Sequence, residues 1–341
     1  MSKNSKLLTF LLAILVLGSP ILGVAQKLRD SKPANEKIAV TGSAQLWRDP
    51  TDIATRDLYY GPGGKEHQPA PGYTFIKEDL DGTNPKFEVR DTAGVKWKAK
   101  LGLEAQPETV ATRLVWAVGY STSEDYLVPV MHPQGMLHLQ RGGRLVAKDG
   151  SMRNVRLKRT EGKKEEEYWK WSANPFSDTR ELNGLRVTMA LINNWDLKDN
   201  NNAIYDSKNG ERIVYEVSDL GASFGAPGLS FPFSRSKGNL DAYKHSPFIT
   251  KVTSSYVDFG APSRPACIYL LVKPGEFFGR LHMRWIGHRI PRADAKWIGE
   301  LLGRLSPEQI HEAFRAAGYS PVQIAAFSEI VSARIMELKK L

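Results

Sequence analysis

One cysteine, Cys267, occurs in 341 residues, which excludes an intrachain disulfide and any thiolate metal cluster. It stands in the apolar run 267–272, so the sequence predicts a strand with a buried small side chain there. The seven histidines show no metal-ligand spacing. His282 and His288 are separated by a step that neither a helix nor a strand turns into a chelating pair. Glycine and proline have no period and form no block, which excludes collagen-like and low-complexity chains. Beyond the first 25 residues no long hydrophobic run appears, so a multi-span membrane protein is excluded. What is present, 41% hydrophobic and 25% charged residues, suits a globular chain long enough for two lobes.

The first 25 residues read as a separate object. Lys3 and Lys6 precede the apolar run Leu7 to Leu17, and Gly23 and Ala25 stand at −3 and −1 before Gln26. This is the layout of a secretory signal peptide. The expectation is an exported chain, periplasmic or secreted, with no transmembrane domain once the leader is removed; an uncleaved N-terminal anchor is the alternative. No cysteine near the cleavage point marks a lipoprotein. The formal net charge is +10, and the leader contributes two lysines and no acid, so the remainder is still basic. That excess suits nucleotide phosphates, acidic glycans or a lipid surface, and equally an ordinary solvated surface. An exported chain meets little nucleic acid, and that partner is set aside.

Along the chain, 73–77, 86–90 and 95–101 predict a three-strand antiparallel meander separated by Asp-, Asn- and Gly-rich turns. Pro107 then opens a helix over 108–118, where Val110, Leu114 and Ala117 recur at helical spacing. Strands are expected over 126–131 and 136–139. A basic hairpin-like stretch over 141–164 follows, running into Glu165 to Glu167, and reads as a solvated face. Trp169, Trp171 and Phe176 are expected in a core. Leu182, Leu185, Met189 and Ile192 predict a helix over 178–193. The C-terminus is helical over 293–305, then after Ser306-Pro307 and Ser320-Pro321, each an N-cap serine followed by proline. These last helices suit packing onto a lobe or docking a protein partner.

The densest chemistry lies in Asn193-Asn-Trp-Asp196-Leu-Lys-Asp-Asn-Asn201, a turn over 206–210, a strand over 212–217, and Asp219-Leu-Gly221. Asp- and Asn-rich turns are ordinarily loop chemistry, because Asx side chains cap their own backbone. Taken in order, however, an aspartate, an asparagine five residues on, a hairpin and Asp-x-Gly are what phosphoryl transfer uses. One carboxylate orients the attacking hydroxyl; the amide and the second carboxylate hold a metal against nucleotide phosphates.

With Trp97-Lys-Ala-Lys100 upstream, the chain resembles the protein-kinase-like superfamily, in its atypical branches such as secretory-pathway, spore-coat and persistence-toxin kinases. The resemblance spans about 73–225. It implies an α+β fold of two lobes, a β-rich N-lobe over 72–165 and a mainly helical C-lobe over 166–305. An N-terminal extension, 26–71, precedes them and a helical tail, 306–341, follows. It also implies ATP or another nucleotide with Mg²⁺ or Mn²⁺. Asp196 would be the catalytic aspartate, Asn201 and Asp219 the metal ligands, Lys100 the phosphate-binding lysine and Glu108 its partner. Lys98, on the same strand face as Lys100, is the rival lysine. Gly82, in the loop between the first two strands, would bring backbone close to phosphate. The departures are the missing G-x-G-x-x-G, Asn-Trp-Asp in place of His-Arg-Asp, and no Ala-Pro-Glu.

Two functional readings follow: a phosphotransferase acting on a protein, glycan or small-molecule hydroxyl, or a catalytically inactive kinase-like binding module in the cell envelope. A third motif, Gly221-Ala-Ser223-Phe-Gly225, satisfies the G-x-S-x-G pattern of a hydrolase, but no helix pattern follows it. Gly61-Pro-Gly-Gly-Lys65 lacks phosphate-loop spacing and reads as a flexible turn.

Overall fold

Alternating burial organises the first half of the chain. In β3 (Lys86–Asp91) and β4 (Lys96–Lys100), Phe87, Val89, Trp97 and Ala99 point to one face and are buried, while Glu88, Lys96 and Lys98 point to the other. Asp91 fixes the tight turn between them, accepting from the Val95 amide at 2.8 Å and the Trp97 indole at 2.9 Å. The computed structural model describes residues 43–341 other than 83, 137, 161–164, 207–211, 227–235 and 264–266, so the leader lies outside the described residues.

The strands preceding and following these are β1 (Ser43–Gln45), β2 (Tyr73–Asp79), β5 (Asp125–Met131), β6 (Met152–Arg159) and β7 (Glu165–Glu167). Among the described residues, β2-β3-β4-β6-β5 form one antiparallel sheet, with helix α1 (Ala105–Ala117) inserted between β4 and β5. The first meander and the helix lie where the sequence places them. Next come α2 (Arg180–Leu191) and the hairpin β8 (Asn202–Asp206) and β9 (Arg212–Val217), which pairs with β7 on one side and β1 on the other.

The rest is mainly helical: α3 (Leu240–His245), a small sheet of β10 (Ile249–Val252), β11 (Tyr256–Phe259) and β12 (Ile290–Pro291), α4 (Ile268–Val272), α5 (Pro274–Met283), α6 (Arg292–Leu302), α7 (Pro307–Ala316) and α8 (Pro321–Lys339). This is the two-lobed α+β arrangement that the resemblance implies.

Two apolar clusters correspond to the two kinds of structure. One fills the face of the five-stranded sheet; the larger joins α1 to α2 and the C-terminal helices, with Trp169 and Trp171 buried in it. Ser306 and Ser320 each cap their helix in a reciprocal box with Gln309 and Gln323. Gln309 also donates to the Ile53 and Arg56 carbonyls, both at 2.8 Å, tying the segment before β2 to α7. Phe314 of α7 and Phe327 of α8 stack at 5.2 Å, and Phe224 meets Phe314 and Tyr243, each at 5.3 Å. The C-terminal helices thus pack directly onto the residues that follow Asp219-Leu-Gly221.

Four local expectations need correction. Cys267 is exposed and precedes α4; the run after it is helical, Lys273-Pro274 opens a second helix, and among the described residues no strand pairs with it. Met136, His138 and Leu139 lie in no strand; the chain there crosses beside β2, bridging Gln134 to Thr74 and donating the Gln140 and Arg141 amides to Glu78. The stretch 141–164 supplies one long strand, β6, preceded by a turn with a single bridge from Val146 to Met152. Gly61 to Lys65 forms a packed turn in which Gly61 and Gly63 are buried; the Tyr126 hydroxyl donates to the Gly64 carbonyl at 2.8 Å. Among the described residues, no helix is long and apolar enough to cross a membrane.

Phe314, fully buried against three aromatic rings, gives the first test. Phe314→Ala is expected to destabilise the protein by about 3–5 kcal/mol through lost burial and the cavity left behind. Urea unfolding midpoints measure it; a change below about 1 kcal/mol contradicts the packing role of α7.

Candidate active site

β4 ends at Lys100, and Gly102, at φ +87°, turns the chain into α1. Glu104 and Glu108 then lie one helical turn apart and both face Lys100. The Lys100 ammonium donates to Glu108 at 2.7 Å, to Glu104 at 3.0 Å and to Asp219 at 3.3 Å. Asp219 arrives from the end of β9, and its carboxylate also accepts from the Gly221 amide at 3.3 Å. Gly221 has a steric reason: a Cβ there would stand 2.7 Å from the Glu104 Cβ. The Lys–Glu pair read from the sequence therefore exists, with Asp219 attached to it.

Lys100 is buried, as are Glu104 and Glu108, so their charges are settled by one another. Burial alone would lower the Lys100 pKa; Glu108, Asp219 and Glu104 raise it well above its ordinary value. Burial would raise Asp219, but Lys100, the Gly221 amide and Arg156 hold it well below the usual carboxylate range. Glu104 is likewise lowered against burial by Lys100 and by Lys237, whose ammonium pairs with it. Burial pushes the Glu108 carboxyl up against the pull of Arg156 and Lys100.

Arg156 of β6 reaches Glu108 at 2.7 Å and Asp125 at 3.5 Å, and Asp125 pairs with Arg113 of α1 at 2.9 Å. Glu104, Arg156, Asp125, Arg113 and Lys237 were not singled out by sequence reasoning. Strand alternation could have flagged only Arg156, as a charge inside the apolar β6 run Val155-Arg-Leu157.

The loop from Asn193 to Asn201 is held by its own amides. Asn193, at φ +49°, donates its carboxamide to the Gly225 carbonyl, and the Trp195 amide donates to Ala222 at 3.2 Å. These residues, standing where His-Arg was absent, bind the loop to the segment after Asp-x-Gly. The half-buried Asp196 carboxylate accepts from Arg280 of α5 at 3.1 Å and pairs with Lys198 at 3.3 Å. Arg280 also lies 4.8 Å over the Trp195 ring. It is a positioning residue 84 positions away in sequence, with no local signal.

Asn201 donates its side-chain amide to the Asp196 carbonyl at 2.6 Å, which leaves its own side-chain oxygen as the donor for a cation. Its backbone carbonyl accepts from the Ser218 and Asp219 amides at 2.9 and 3.2 Å, so Asn201 and Asp219 are neighbours. Both offer hard oxygen, the ligand type that Mg²⁺ and Mn²⁺ take, and Asp219 is ionised at any physiological pH. Glu104, Glu108 and Asp219 also bring three carboxylate oxygens within 4.8 Å. Lys100 contacts all three, so the cation at that point is the lysine itself.

Lys98 and Gly82 lie elsewhere. Lys98 pairs with Asp79 at 2.9 Å with its side chain 39% exposed, on the open face of the sheet. Gly82, at φ +71°, is exposed, and its carbonyl accepts from the Arg141 guanidinium. Arg141 also donates to the carbonyls of Asp79, Asp81 and Asn84 at 3.1, 3.0 and 3.0 Å. Ser223 is fully buried and, among the described residues, its hydroxyl has no hydrogen-bond partner and no base beside it, so the G-x-S-x-G motif serves structure there.

No family model and no curated protein matches the chain. Among solved structures it is similar to a Helicobacter pylori proinflammatory kinase, CtkA, at 11% identity and TM-score 0.44, covering 80% of this chain and 97% of that one. It is also similar to the Golgi casein kinase at 10% identity and TM-score 0.32, covering 86% and 76%. A second structure of that kinase, with Mn/ADP bound, gives 10% identity and TM-score 0.29, covering 79% and 73%. The likeness is one of outline; the chemistry described here is that of this chain's own side chains.

A pH dependence follows from Asp219. Its folded pKa is depressed, so the stability it lends is fully present above the ordinary carboxylate value near 4 and is lost as pH falls through the lower folded value. With its carboxylate 39% exposed and partly screened, the contribution is about 1 kcal/mol. The difference in unfolding free energy between wild type and Asp219→Asn should be present at pH 7 and shrink progressively as pH falls from about 4 toward 2. A difference constant across that range contradicts the Lys100–Asp219 attraction.

Proposed function

We propose that this chain is a kinase-like phosphotransferase, moving the γ-phosphoryl of a nucleotide, ATP by resemblance, to a hydroxyl acceptor with the help of Mg²⁺ or Mn²⁺. The observation that carries the reading is Lys100 held jointly by Glu108 and Asp219, with Asn201 and Asp196 hydrogen-bonded to each other beside it. A buried lysine aimed by carboxylates from two elements is a fixed positive charge where phosphate oxygens would sit. Asp196, steadied by Arg280 and Lys198, would orient the acceptor hydroxyl and take its proton. A divalent cation at Asn201 and Asp219 would neutralise phosphate charge. The acceptor class, whether protein, glycan or small molecule, is left open. The leader motivates export to the periplasm or beyond, and an uncleaved anchor is the competing topology.

A kinase-like binding module is the second reading, and one observation favours it. The β2–β3 loop, which would cover phosphates with its amides, has four carbonyls gripped by Arg141. Its backbone is committed to a side chain of the same protein.

Calorimetry with ATP and Mg²⁺ or Mn²⁺ separates the two. Metal-dependent binding should be seen in the wild type and lost in Asp219→Ala. Asp196→Asn should keep nucleotide binding while single-turnover transfer, read as hydrolysis or autophosphorylation, falls by about 10²- to 10⁴-fold. Absence of nucleotide binding to the wild type rejects the phosphotransferase and leaves the binding module.

A further inference from the structure

A cleft of about 1710 Å³ opens beside the Lys100 cluster, between the end of β4, the start of α1, the long β5–β6 connection and the segment around Lys237. It exceeds the roughly 300–1,000 Å³ that small ligands occupy. Neither Lys100, Asp196, Asn201 nor Asp219 lines it, so it is distinct from the proposed transfer site.

Its lining is one-signed. Arg141, Arg144, Arg153, Lys237 and Lys273 line the cleft, and no carboxylate does among the described residues. Arg141 and Lys237 are engaged with the β2–β3 loop and with Glu104. Arg144, Arg153 and Lys273 are exposed and form no ion pair among the described residues. Such a concentration of like charge raises the local density of anions. Large apolar side chains stand beside it: Leu103 is 69% exposed and Val272 67%. Exposed apolar surface next to unpaired cations marks a recognition face.

A second, independent observation points to a ligand. Tyr319 lines the cleft, is only 7% exposed, and its hydroxyl has no hydrogen-bond partner among the described residues. The residue it faces is Gly238, also in the lining, where a Cβ would come within 2.5 Å of that hydroxyl. Glycine at that position leaves space beside the hydroxyl, which is itself shielded from solvent, and a buried hydroxyl left unpaired is unfavourable until something pairs with it.

We propose that this cleft is a docking site for an extended acidic segment of a partner protein, carrying Asp or Glu interspersed with apolar residues. The carboxylates meet Arg144, Arg153 and Lys273, the apolar side chains lie on Leu103 and Val272, and a peptide group pairs with the Tyr319 hydroxyl. A concave groove of this size accommodates a chain; a bilayer, being flat, reaches exposed convex surfaces. The site stands whether or not the neighbouring residues transfer phosphate.

The test is fluorescence polarisation of the full chain, without nucleotide, with a dye-labelled twelve-residue peptide alternating Glu and Leu. A matching peptide with Lys for Glu and phosphatidylglycerol vesicles are measured alongside. The acidic peptide is expected to bind, and the triple variant Arg144→Glu, Arg153→Glu, Lys273→Glu to weaken it by about tenfold or more. Tyr319→Phe keeps the packing ring and removes an unpaired hydroxyl, so it should hold or raise the unfolding midpoint yet weaken the peptide about threefold or more. Equal binding of the lysine peptide, binding to the vesicles alone, self-association abolished by the triple variant, or an acidic peptide indifferent to all these changes would each overturn the proposal. Unaltered circular dichroism of the triple variant shows that lost binding is not lost folding.

Discussion

The structure turns on one ammonium group. Lys100 is the common partner of three carboxylates, Glu104 in the turn that leads into α1, Glu108 within α1 and Asp219 just past the end of β9. Removed from water, the ammonium is not tolerable without carboxylates beside it, and the buried Glu104 and Glu108 in turn need cations beside them. That mutual dependence fixes the rotation of α1 about its axis, the length of the turn after β4, and the seat of Asp-x-Gly. The network continues through Arg156 and Asp125 to Arg113, so the strands β5 and β6 are registered on the same charges.

The arrangement also has a built-in asymmetry. Glu108 has a second cation in Arg156 and is the deeper of the two helix acids; Glu104 has a second cation in Lys237, at the rim of the cleft. An anion approaching Lys100 must displace a carboxylate from it. Glu104 is the one that can yield, because Lys237 still neutralises it after it lets go. Asp219 keeps its Gly221 amide and Arg156 in either case. Glu104 and Lys237 therefore connect the lysine cluster to the neighbouring cleft by direct contact.

Much of this was legible in the sequence where the signal is local. The meander of β2 to β4, α1, α2 and the two serine-capped helices follow from alternation, helical spacing and capping residues, and Lys100, Glu108, Asp196, Asn201 and Asp219 follow from order along the chain. Glu104 was not legible, because it lies in the turn between a strand and a helix, where neither period applies. Arg280, Lys237 and Arg141 were not legible either: each acts across a long separation, and a cation in a surface-coloured segment looks the same whether it meets solvent or a buried carboxylate. The run 267–272 misled because short apolar runs fit helix and strand alike.

Asn193-Asn-Trp195 shows how a departure from an expected motif acquires meaning only in three dimensions. In sequence the triplet merely lacks histidine and arginine. In the fold, Asn193 holds the Gly225 carbonyl, Asn194 accepts the Asp196 amide at 3.0 Å, and the Trp195 ring lies under Arg280. Arg280 in turn grips Asp196 and the Trp195 carbonyl, at 3.1 Å each. The orientation that a histidine and an arginine within the loop would supply is supplied here by one arginine from α5 and by two asparagines. The aspartate is thereby coupled to α5, and α5 abuts the exposed apolar helix α4 whose last residue, Val272, lines the cleft. Asp196 and the cleft thus share a mechanical support, since any shift of α5 that moves Lys273 at its N-terminus also moves Arg280 within it.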